Sequence, residues 1–336
     1  MIPLDTTLPP RLQKQLLGHE GQWQLLQRQF SENKLHPAWL LVGQKGIGKA
    51  TFAYQTARTL LKADQGNDQF FDTLIDQKSH PNLLIIEKEL DEDGKPANDI
   101  TVEGIRKIAD FVHQSAAFPG WRVIIIDAIE ELNRNAANAL LKILEEPPKQ
   151  VLILLVCHSV GRILPTIRSR CCLLSFDILT QEVLTEVLGK APDPLAYALA
   201  NGSIGQLLEL EKFALNDLLE EVINVLQAVM ANRLTSLQQF VGGFEKGDPL
   251  AQIMLILLPW ISCQLVLLKS QQNSFVLRHD TLLPLANLRI PSHWLLVQER
   301  LSLLLQNAKD AHLDFATLLT AAFLCFESPH LMKEFT

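Results

Sequence analysis

Apolar residues fall into short runs ended by glycine or a carboxylate in the first half of the chain, and into long leucine-rich stretches in the second. Residues 38–42 are wholly apolar and end at Gly43, the profile of a buried strand. Residues 50–61 then read as a helix, and 82–87 as a second strand. Thr101 opens a helix with Glu103 in its first turn and apolar positions at Val102, Ile105, Ile108 and Val112. Residues 121–127 contain Val123 to Ile126, a strand apolar on both faces that ends at Asp127. A strong helix follows at 135–144, stopped by Pro147-Pro148. Residues 151–156 and 172–176 read as two further strands. The weaker patterns predict an amphipathic helix over 12–30, carried by Leu12, Leu16, Leu25 and Leu26, a loop or insertion over 62–79, and a turn-rich stretch over 91–99.

Strands alternating with helices imply right-handed βαβ units and a parallel sheet covered on both faces. From about residue 180 the strand signal stops and the chain reads as helical. The expected organisation is an α/β domain over 1–178, a small helical unit over 179–215 and a larger helical domain over 216–336.

At 336 residues, with 48% hydrophobic and 20% charged positions, the chain has enough material for two or three packed units. A formal net charge of −7 excludes a global basic field for gripping DNA or an anionic membrane, and leaves only local basic patches. The first twenty residues do not resemble a secretory leader, and the apolar stretches 152–156 and 253–268 read as too short or too interrupted to span a bilayer. The five cysteines, Cys157, Cys171, Cys172, Cys263 and Cys325, are scattered and show no CxxC spacing. They predict free, mostly buried thiols in a reducing cytoplasm, with neither a disulfide framework nor a metal site.

The chemistry concentrates in residues 43–50, Gly43-Gln44-Lys45-Gly46-Ile47-Gly48-Lys49-Ala50. They fit G-x-x-x-x-G-K after a strand and before a helix, where backbone N–H groups cradle phosphates and Lys49 neutralises their charge. The position after the lysine ordinarily holds serine or threonine, whose hydroxyl ligates Mg²⁺. Ala50 has no oxygen, and Thr51 is rotated about 100° away on the helix. A retained scaffold loop with little or no hydrolysis is therefore expected, with Gly43, Gly46, Gly48, Lys49 and Asp127 forming a degenerate nucleotide site.

Residues 135–148, NAANALLKILEEPP, and 164–171, LPTIRSRC, are highly specific strings. Together with the phosphate-type loop they resemble the clamp-loader branch of the AAA+ ATPases, densely over residues 39–171 and weakly to 208. The resemblance implies an α/β P-loop (AAA+, RecA-like) domain with a parallel sheet, a small helical lid and an all-α collar. In that family the Ser-Arg-Cys tripeptide carries an arginine finger that acts on ATP held by the adjacent subunit, and Arg170 is the matching residue. A surface or salt-bridged arginine is the plainer alternative, and Arg168 reads as structural. Active relatives place a glutamate after the strand aspartate, a threonine or asparagine that senses the γ-phosphate, and Gly-Ser-x-Arg in the lid. This chain has Ala128, Cys157 and Gly205 at those positions; the resemblance implies that the loss at Gly205 is shared by delta-prime-like members and not by ATP-hydrolysing gamma/tau-type members.

The four-cysteine zinc module of many relatives has no counterpart in 62–80, so no zinc is expected, and no other cofactor. The resemblance also implies gamma/tau- and delta-type partners in a hetero-pentamer, with a sliding clamp and primed DNA met through that complex, and no membrane. An active gamma/tau-type ATPase and a stand-alone nucleotide-binding regulator remain the alternatives. Lys142 and the leucine-rich 301–305 are open between DNA or subunit contact and ordinary solvent-facing or core positions.

Overall fold

Five apolar runs become the five strands of one sheet in the computed structural model, which describes residues 9–62, 68–89, 97–113, 118–244, 248–270, 277, 279–308 and 314–329. The strands are β1 (Ala38–Val42), β2 (Leu83–Ile86), β3 (Arg122–Asp127), β4 (Val151–Cys157) and β5 (Cys172–Ser175). All neighbours are parallel, in the order β2-β3-β4-β1-β5. Every residue of β4 is buried, as a central strand covered on both faces requires.

The chain forms two compact units, one made of residues 1–192 and 201–208, the other of 193–200 and 209–336. The first contains α1 (Glu20–Ser31), α2 (Lys49–Lys62), α3 (Asp68–Asp76), α4 (Val102–His113), α5 (Arg134–Glu145), the single-turn α6 (Pro165–Arg168) and α7 (Gln181–Leu188) besides the sheet. Strand alternation sorts the core into two faces. Leu40, Ile124, Ile126, Ile153 and Leu155 pack with Ile105 and Ile108 of α4 and Ala136, Leu140 and Leu144 of α5. Helix α2 packs against β3 and β4, burying Phe52, Ala53 and Ala57. Asn133 caps α5 by accepting the Ala136 N–H at 2.9 Å, so the helix begins at Arg134, one residue before the start read from the sequence.

Two local expectations fail. The helix expected over 12–30 begins at Glu20, because Gly18 adopts φ +78° and the preceding stretch, after a turn at residues 10–12, is held by side-chain contacts instead. Arg11 donates from Nε to the Asp76 carbonyl at 3.0 Å and Gln55 donates to the Gln13 carbonyl at 2.8 Å. The loop expected over 62–79 contains α3, whose Phe71 and Ile75 fall four apart on one buried face. Polar residues on its other face obscured the period. They are partners of α2: Arg58, 4% exposed, bridges Asp72 at 2.7 Å and also binds Asp76 and the Arg11 carbonyl, while Lys62 meets Asp72 at 2.7 Å. The readings of the first eight residues and of 91–96 lie outside the described residues.

His80 is 2% exposed, its ring set between Phe71 and Phe118 at 5.4 and 5.8 Å, with Nδ1 accepting the Asn82 N–H at 3.0 Å. Burial lowers its pKa to about 4. The unfolded chain takes up a proton near pH 6.5 and the folded one only near 4, so stability is fully present above 6.5 and declines as pH falls through that window. At pH 5 this amounts to about 2 kcal/mol. Thermal midpoints measured from pH 7 to 4.5 should fall accordingly, and His80→Leu, which cannot titrate, should flatten that slope. An equally steep slope in the variant would remove His80 from the account.

The second unit is wholly helical among its described residues: α8 (Pro194–Ala200), α10 (Leu215–Met230), α11 (Leu234–Gly242), α12 (Pro249–Lys269), α13 (His279–Ala286), α14 (Pro291–Asn307) and α15 (Phe315–Glu327), while α9 (Ile204–Leu210) begins in the first unit. Helix α12 is longer than the interrupted stretch read from the sequence, because Pro259 is accommodated within it; Ser262 Oγ donates to the Pro259 carbonyl at 2.7 Å. By length and composition it could cross a membrane. Its residues Ile253, Met254, Leu257, Leu258, Ile261 and Leu265 are nevertheless buried, and it packs against α13, α14 and α15 as a core helix does. Of the cysteines, Cys157 and Cys325 are buried and the other three half-buried, so the thiols are free but less enclosed than expected.

Candidate functional site

The phosphate-type loop leaves the carboxyl end of β1, between β4 and β5, where parallel sheets open a crevice for ligands. Its root is tied to the sheet: Gly43 N–H donates to the Cys157 carbonyl at 3.3 Å and Phe176 N–H to the Val42 carbonyl at 2.7 Å. Lys49 is the first residue of α2 and only 2% exposed. Its Nζ donates to the Gly43 and Gln44 carbonyls, both at 2.6 Å. Burial brings its pKa down to about 8, although Asp127, Cys157 and Glu130 favour its charge.

The outer side of the loop is covered by the start of α9 and the turn before it. Ser203 Oγ donates to the Lys45 carbonyl at 2.8 Å, Gly205 N–H to the Gly46 carbonyl at 2.9 Å, and Gln44 Nε2 to Gln206 Oε1 at 3.1 Å. This approach needs glycine on both sides. Gly46 has φ +79°, and a Cβ there would lie 2.6 Å from Ser203 Oγ; a Cβ on Gly205 would lie 2.9 Å from Gly46 Cα. No side chain, and least of all an arginine, fits at position 205 in this arrangement. From the inner side His19 Nε2 donates to the Ile47 carbonyl at 2.7 Å, and its ring meets Phe176 edge-on at 4.8 Å.

At the ends of β3 and β4 lie Asp127, Glu130, Cys157 and His158. Burial, then Glu131, raises the Asp127 carboxyl to about 6, with Lys49 opposing. Burial also raises the Cys157 thiol to about 11 and lowers His158 to about 4. Ala128 offers no base for an attacking water. Glu130, on the turn after β3, instead accepts the His158 N–H at 2.8 Å, so its carboxylate joins two strand ends. With no hydroxyl at Ala50 and no base at 128, these groups do not fit a hydrolysed Mg-ATP.

Arg170 follows α6 and lies apart from this loop in its bonding. Its Nη2 meets Glu145 Oε1 at 2.7 Å, while Nη1 donates to the Thr166 carbonyl at 2.9 Å and Ser169 Oγ at 3.4 Å. Its side chain is 35% exposed and that of Glu145 51%. Arg168, read from sequence as structural, is exposed. The structure thus brings Gly43, Gly46, Gly48, Lys49 and Asp127 together at the sheet's carboxyl edge and leaves Arg170 on a separate surface. Sequence reading missed Glu145, His19 and the Ser203–Gln206 clasp. Gly202-Ser203 carried a signal for the clasp, because a hydroxyl preceding a helix is a capping residue with a free donor.

A family model described as DNA polymerase III, delta subunit, matches residues 18–180. The gamma subunit of DNA polymerase III from Buchnera aphidicola subsp. Acyrthosiphon pisum (strain APS) is 31% identical over 220 residues, covering 62% of this chain and 60% of the relative. The delta' subunit from Pseudomonas aeruginosa is 38% identical over 168 residues, covering 48% and 50%. The delta' subunit from Yersinia pestis is 34% identical over 148 residues, covering 43% and 42%. The matches with the gamma and the two delta' relatives thus span between about two fifths and three fifths of each relative's length. Over residues 18–180, with a parallel P-loop sheet and its degenerate loop, the chain is thus similar to the DNA polymerase III delta family of AAA+ clamp-loader subunits.

Proposed function

We propose that this chain is a delta-prime subunit of a bacterial clamp loader: an ATPase-deficient member that completes a neighbour's ATP site with Arg170 and helps place a sliding clamp on primed DNA. The observation that carries this reading is the closed phosphate-type loop, with Lys49 bonded to Gly43 and Gln44 and Gly205 seated on Gly46. A subunit that turned over ATP would also need a hydroxyl at position 50 to hold Mg²⁺ and a base at position 128, and this chain has alanine at both. Its partners in this reading are gamma/tau- and delta-type subunits in a hetero-pentamer, in the cytoplasm. Residues 1–178 serve as the AAA+ domain, 179–215 as the lid and 216–336 as the collar that joins subunits.

The test is direct. The purified chain should show no saturable ATP binding at millimolar nucleotide by calorimetry and no turnover above background. Mixed with gamma/tau- and delta-type subunits, it should elute with them as one complex. Turnover by the isolated chain at rates typical of motors would favour a gamma/tau-type ATPase. Failure to co-elute would favour a stand-alone protein.

A further inference from the structure

We infer that Glu145 is the positioning residue of Arg170, a carboxylate latch that holds the guanidinium in place until a polyphosphate on a neighbouring subunit displaces it; the inference rests on the finger reading of Arg170. The two residues come from different elements, 25 positions apart, and α5 packs on α6, so both sides of the contact are fixed. Glu145 is the last residue of α5, where a carboxylate faces the negative end of the helix dipole. Such a charge is disfavoured there unless it is paired, and Arg170 is its partner at 2.7 Å. The guanidinium is held in two distinct ways. Nη1 donates to the Thr166 carbonyl four residues back in its own segment, whereas Nη2 is held by one carboxylate oxygen of α5. A phosphate oxygen that replaces the Glu145 carboxylate at Nη2 exchanges one anionic acceptor for another, and the local Nη1 bond to Thr166 keeps the aim while it does so.

The latch therefore opposes engagement by the strength of one exposed ion pair, which corresponds to about two- to fivefold in affinity. In the reconstituted complex, Glu145→Gln should lower the KM for ATP at the completed site by about two- to fivefold and leave kcat within about twofold. Glu145→Asp, which keeps the charge, should stay close to the unsubstituted KM. In an Arg170→Ala background, Glu145→Gln should shift nothing, since its whole effect passes through the guanidinium. An unchanged KM, a fall in kcat at constant KM, an aspartate variant as tight as the glutamine one, or an equal shift in both backgrounds overturns the assignment of Glu145. The finger reading fails separately, and takes the latch with it, if Arg170→Ala alone leaves kcat unchanged.

Discussion

Under the proposed finger role, Arg170→Ala is expected to leave the chain folded and assembled while cutting ATP hydrolysis at the neighbouring site by about 10³-fold or more. The fold survives because the ion pair with Glu145 is exposed and contributes at most about 1 kcal/mol. Activity falls because a guanidinium supplied across an interface spreads positive charge over the equatorial oxygens as the γ-phosphoryl group detaches, and alanine leaves that charge uncompensated. Arg170→Lys restores a point charge without the planar fork, so it should recover only a minor part of the loss. The measurement is steady-state hydrolysis by the reconstituted complex with clamp and primed DNA present, with assembly checked by size exclusion. Wild-type turnover by an intact Arg170→Ala complex would sink the finger reading.

The second large effect concerns stability. Removing the buried Arg58 guanidinium strands Asp76 and the Arg11 carbonyl, which now share it, and leaves Asp72 to Lys62 alone. Breaking a buried charge cluster by deleting one partner costs about 3–5 kcal/mol, far more than the cluster's net contribution when whole. Burial alone would raise the Asp72 pKa, but the hydrogen bonds from Lys62 and Arg58 outweigh it and hold the carboxyl below its ordinary value. That contribution is present at neutral pH and is lost as pH falls through the depressed value. Arg58→Ala should therefore lower hydrogen-exchange protection in α2 and α3 by two or more powers of ten, with the loss shrinking in acid. Protection within tenfold of the parent chain would show that the cluster can be dispensed with.

The sheet was legible because each strand is apolar on both faces and is punctuated by glycine, proline or a terminal carboxylate. The phosphate-type loop was legible for a similar local reason: its glycines and lysine are contiguous. Helix α3 was hidden because half its face points at Arg58 and Lys62, so its polar residues are inward-facing partners that hydropathy counts as solvent-facing. The N-terminal stretch misled in the opposite sense. Leu12 and Leu16 have helical spacing, but the backbone there is engaged by Arg58 and Gln55 from α2. Site residues were readable one by one, while their pairings were not. Nothing in the spacing of Glu145 and Arg170, or of Gly46 and Gly205, announces that they touch, since each pair is joined only by the tertiary fold.

The bonding of Lys49 bears on how alleles of this gene are read. Geneticists commonly substitute the lysine of such loops to separate nucleotide-dependent from nucleotide-independent roles. Here the ammonium is a structural rivet between two carbonyls, so Lys49→Ala removes a hydrogen-bond donor from a buried loop before any nucleotide is considered. A growth defect in such a strain would report on the integrity of the protein's own backbone. It would say nothing about whether the chain ever needed ATP.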